Sequence, residues 1–170
     1  MGKSNYKRTE FPQFNHYACE GDTISWTEGH LTIVATIHRD DSSSAPDEEC
    51  DGFWPSLDPE DNGWIGPKSK STLQRHMAHA KLVMEAWKNN DWFWCGISVR
   101  VYTHGGEPLN NEFEHVLWRI ECNYPRCGPR QRHNLYLGEV ARELAGQALG
   151  DIKGNPETRD KVFWSSLGAL

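Results

Sequence analysis

Residues 23–38 read TISWTEGHLTIVATIH, and the fold turns on how this stretch is paired. In its second half Leu31, Ile33, Ala35 and Ile37 fall on one side of an extended chain, while Thr32, Val34, Thr36 and His38 fall on the other. Side chains of a strand alternate between faces, and β-branched residues suit a pleated, half-buried surface. Glu28-Gly29-His30 between the two runs reads as a tight turn, so the chain is expected to open with an antiparallel hairpin.

The alternation returns downstream. In WFWCGISVRVYTH (92–104), Phe93, Cys95, Ile97, Val99 and Val101 make a wholly apolar face opposite Trp92, Trp94, Gly96, Ser98, Arg100 and Tyr102. After Gly105-Gly106 the run FEHVLWRIEC returns, with Val116, Trp118 and Ile120 expected on one side and His115, Leu117 and Arg119 on the other. Between the hairpins Leu73, Met77, Ala80, Met84 and Trp87 step by fours and threes, which predicts a helix over about Ser71 to Asn89. A second helix is predicted over about Asn134 to Asp151, with Leu137, Val140, Ala141, Leu144 and Ala148 on its buried face. The resulting ββαββα order predicts an α+β fold: an antiparallel sheet of about four strands with two helices packed on one face.

A chain of 170 residues fits a single domain, 1–170, with 1–18 read as an arm over the body and 156–170 as a tail. In that tail Phe163, Trp164 and Leu167 share helical spacing and would suit contact with a second copy, so a homodimer is one expectation. No run approaches the roughly 20 apolar residues of a membrane span. The first residues carry no apolar core of the kind a secretion signal needs, and the five cysteines are odd in number and irregularly spaced. The expectation is a cytoplasmic protein with free thiols.

Charge is concentrated between the first hairpin and the first helix. Residues 40–66, DDSSSAPDEECDGFWPSLDPEDNGWIG, hold Asp40, Asp41, Asp47, Glu48, Glu49, Asp51, Asp58, Glu60 and Asp61 and no cation before Asn62. The formal net charge is −6, so the rest of the chain sums to +3. Duplex DNA presents one negative charge per roughly 1.7 Å of its axis, a line that closely spaced carboxylates can imitate. Phe53, Trp54 and Trp64 in the same loop would supply apolar anchors of the kind that dominate interfaces. These nine acids and three aromatics are the candidate partner-binding residues, and the partner expected is a protein or nucleoprotein complex with a basic groove. The competing account is a solvated loop whose aromatics are buried on its own sheet.

Two weaker constellations stand beside it. Tyr124 with Arg126, Arg130 and Arg132 could grip a phosphate chain and stack a base, or could pair with the acidic loop. His76 and His79 are neighbours on one helix face but lack the third ligand that a metal site needs. Cys122 and Cys127 have four residues between them rather than the usual two of a zinc knuckle. No phosphate-cradling glycine loop, nucleophile elbow or H-E-x-x-H helix is present, so no cofactor is expected and the reading leans away from an enzyme.

HYACEGDTI, DGFWPSLDPED followed by WIG, KNNDWFWCGISV, LWRIECNYP and NLYLGEVARELAGQAL resemble segments of a group of small proteins from phages, plasmids and prophages of proteobacteria. The resemblance covers most of the chain from His16 to Leu149. It implies a mobile-element setting in the cytoplasm of a bacterial host, and with the acidic loop it points to an anti-defence inhibitor, of CRISPR or restriction systems. It implies no chemistry. Arg119 stands where that group commonly has glycine, and Cys127 to Arg132 are an insertion relative to it.

Overall fold

Gly29, at φ 63°, turns the chain between β1 (Thr23–Glu28) and β2 (Leu31–Arg39), which pair antiparallel from Glu28↔Leu31 to Thr23↔Thr36. That turn needs a left-handed residue, and glycine adopts the conformation without steric cost. The computed structural model describes residues 11–126 and 134–167, without the side chains of Trp164, Ser165 and Leu167. After β2 come α1 (Pro46–Glu49), α2 (Lys70–Lys88), β3 (Phe93–Tyr102), β4 (Val116–Cys122), α3 (Leu135–Gly154) and α4 (Pro156–Leu167). The four strands form one antiparallel sheet in the order β1-β2-β3-β4, so the fold is α+β as the alternation implied.

The sheet has one dry face. Ile33, Ala35 and Ile37 of β2 and Cys95, Ile97, Val99 and Val101 of β3 are fully buried there, under Leu137, Ala141, Leu144, Ala148 and Ile152 of α3. The arm closes one end: Phe14 and Ala18 join the core, and Phe11 packs edge-on to Trp26 at 4.7 Å. A buried pair of asparagines fastens it. Asn123 donates to the Ala18 carbonyl and accepts from the Ala18 amide, and Asn134 donates both to Asn123 and to the His16 carbonyl. Both sit at positive φ, which asparagine tolerates better than most residues.

The second helix departs from expectation. α3 lies across the core face, whereas the buried residues of α2 (Ala80, Val83 and Met84) stand outside that core. The reason is a separate aromatic cluster at the start of β3. Trp92 packs edge-on to Trp87, Trp94 and Tyr124 at 5.0, 5.3 and 4.9 Å, and its indole donates to the Val83 carbonyl at 2.9 Å. The apolar stripe of α2 thus has its own partner.

β4 also corrects the alternation read from the sequence. Cys95 pairs with Ile120 but Ile97 with Leu117, so two steps on β3 face three on β4. This bulge places Arg119 at φ 63° and separates Trp118 from Ile120. Ile120 enters the core, whereas the Trp118 ring lies on the opposite face, over Gly96, where a Cβ would overlap it.

Candidate interaction surface

The acidic stretch is built rather than loose. Pro46–Glu49 make one helical turn, Ser56 and Trp64 form an isolated bridge, and the Ser56 amide donates to the Gly63 carbonyl at 2.8 Å. Gly63 sits so close to the Trp54 carbonyl that any side chain would collide with it. The strands of this loop therefore cross in contact, and the carboxylates project from a fixed backbone.

They do not all project outward, as the sequence had suggested. Asp40 is only 8% exposed, and it accepts from the Ser42 amide and from the Ser42 and Ser43 hydroxyls. The Ser42 hydroxyl above all holds its carboxyl below the ordinary carboxylate range, against the opposing effect of burial. Asp41 pairs with Arg39 at 3.4 Å, and Glu49 accepts from Arg119 at 2.7 Å and from the Ser44 amide at 2.8 Å. Asp40 thus closes the turn that leaves β2, Asp41 pairs with the last residue of β2, and Glu49 fastens the loop to β4.

The other six make no ion pair among the described residues. Asp47, Glu48, Asp51 and Asp61 surround one depression of about 480 Å3, with Phe53 and Trp54 in its wall. Asp51 accepts from the Asn62 side chain at 2.7 Å and Asp61 from the Ser56 hydroxyl, neutral donors that orient the carboxylates and leave their charge intact. Asp58 and Glu60 are exposed on the adjoining turn, where Asp58 accepts from the Glu60 amide at 3.0 Å. Trp54 is 41% exposed and Trp64 47%, so both offer indole surface beside the acids.

Tyr124 is half-buried in the Trp92 cluster, and the Arg126 guanidinium lies over the Tyr136 ring at 5.0 Å. Arg130 and Arg132 lie outside the described residues, as does Cys127. His76 is exposed, whereas His79 is half-buried with its ring 6.3 Å from that of Tyr124. Among the described residues no three His, Cys, Asp or Glu side chains converge as metal ligands. Cys95 and Cys122 are buried free thiols; the Cys122 side chain and burial push the Cys95 thiol far above its ordinary value.

Sequence reading missed two features. Arg119 is the cation that docks the acidic loop on β4, a role created by the bulge. On the outer face of the sheet His38 and Ser98 form a 2.8 Å hydrogen bond under the rings of Phe113 and Trp118. Both residues were placed on the second faces of their strands, but only the pairing Thr36↔Ser98 brings them together. Comparison of the chain with protein-family models, curated proteins and solved structures finds no match.

Proposed function

We propose that this chain works by binding: its acidic, tryptophan-bearing lobe enters the basic groove of a nucleic-acid-handling protein or nucleoprotein complex, as a mobile-element inhibitor of host defence would. The observation that carries this reading is the ring of Asp47, Glu48, Asp51 and Asp61 around one depression beside Trp54, none of them ion-paired among the described residues. A fixed backbone holds these charges apart before any partner arrives, so little ordering cost falls on association. Complementary charge raises the encounter rate and weakens with salt, while the indoles supply the desolvated contact that slows release.

The test compares the wild-type chain with the Asp47→Asn, Glu48→Gln, Asp51→Asn, Asp61→Asn variant, both immobilised and exposed to lysate of a bacterial host. The wild type is expected to retain a partner that duplex DNA displaces, and the variant to bind that partner about tenfold or more weakly at low salt. Equal capture by both proteins, or a captured partner indifferent to DNA, overturns the reading.

A further inference from the structure

A groove of about 540 Å3 runs beside the outer edge of β1, between Phe11 and Trp26 on one side and Ala145, Gly146, Leu149 and Gly150 of α3 on the other. It is open: a Cβ added at Gly146 or Gly150 would meet nothing within 4 Å. Its rim carries Arg142 and Lys153 against one carboxylate, Glu28. Neither cation forms an ion pair among the described residues, and the Arg142 guanidinium rests over the Phe11 ring at 4.4 Å.

β1 is an outer strand of the sheet. The two-residue turn closes on Glu28 and Leu31, so by the alternation of an antiparallel ladder Ile24, Trp26 and Glu28 exchange bonds with β2. Thr23, Ser25 and Thr27 then aim their backbone N–H and C=O away from the sheet, and among the described residues no backbone bond from outside the sheet reaches them. The strand TISWTE has no proline, lysine or bulge of the kind that blunts an edge. The opposite edge strand, β4, is interrupted at Arg119.

We propose that this edge and its groove bind an extended peptide as a fifth strand. Unpaired main-chain donors and acceptors at strand spacing are matched by another extended main chain. Alternate side chains of the added strand point to the Trp26 side, where the groove takes an apolar residue. Arg142 and Lys153 favour acidic residues beside it. The ligand is therefore an acidic peptide with an apolar residue at an alternate position.

Panning a phage-displayed library of random dodecapeptides against the full chain tests this. Enriched peptides are expected to carry Asp or Glu around an apolar residue. Their synthetic forms should lose about tenfold or more in affinity for Ser25→Pro, which removes an outward N–H but no ladder bond. Gly146→Phe, which fills the groove from an exposed helix position, should cost as much, and it serves alone if the proline variant does not fold. Methylation of alternate peptide amides should abolish binding. No enrichment, equal affinity for wild type and Gly146→Phe, or tolerance of amide methylation overturns the proposal. So does a wild-type dimer, seen by sedimentation, that Ser25→Pro converts to monomer, because a second copy would then fill the edge.

Discussion

At Glu121 burial and charge oppose each other. Burial pushes its carboxyl above the ordinary value, and the nearby Arg126 guanidinium pulls it part of the way back. The folded chain therefore binds this proton more tightly than the unfolded chain, and stability falls as pH rises from the ordinary carboxylate range through the raised value. Above that window the penalty is complete. Glu121→Gln removes the charge, so it is expected to raise the melting temperature at pH 7 and to change it little near pH 4, where wild-type Glu121 is protonated when folded. Thermal unfolding of both proteins at the two pH values checks this; an equal rise at both would place the effect in packing. Nothing in the local sequence around Glu121 announces its burial, because that follows from the tertiary neighbours. Arg119 is different. Its φ of 63° is a conformation that glycine adopts without strain, and an arginine holds it here because the bulge in β4 requires it.

The elements were legible where one period dominated. Ile33, Ala35 and Ile37 share one face of a β-branched run, so β2 and its hairpin followed directly, and helical spacing of apolar residues located α2 and α3. Partnership between elements was less legible. The stripe of α2 said that one face is buried but not against what, and Trp92, just before β3, turned out to be its anchor at 1% exposure. The bulge in β4 escaped for a similar reason, because a single extra residue leaves no mark on composition. Since α2 rests on an aromatic cluster outside the main core, it is expected to open as a unit before the sheet does. Hydrogen exchange should show α2 amides exchanging sooner than those of β2 and β3. Trp92→Ala should cost about 3–5 kcal/mol and accelerate α2 preferentially. Protection of α2 equal to that of the sheet in both proteins would contradict this division.

Across the whole molecule the charge pattern was legible as a sum but not as a surface. Three of the nine acids, Asp40, Asp41 and Glu49, turned out to be engaged by the chain's own groups, a distinction that hung on Ser42, Arg39 and Arg119. The six that remain form a lobe of like charge, and like charges held close repel one another in the folded state more than in an expanded chain. If they belong to the loop's own architecture, replacing them should destabilise it at every ionic strength. If they are kept for a partner, their removal should relieve strain. Asp47→Asn, Glu48→Gln, Asp51→Asn and Asp61→Asn together shift the formal charge from −6 to −2 and keep an acceptor oxygen for Asn62 and for the Ser56 hydroxyl. The melting temperature of this variant is expected to exceed that of the wild type at low salt. The gap should close toward 1 M salt, where the screening length falls to about 3 Å. A variant less stable than the wild type at both extremes would mean that these carboxylates hold the loop together, and the case for a docking lobe would lose its electrostatic basis.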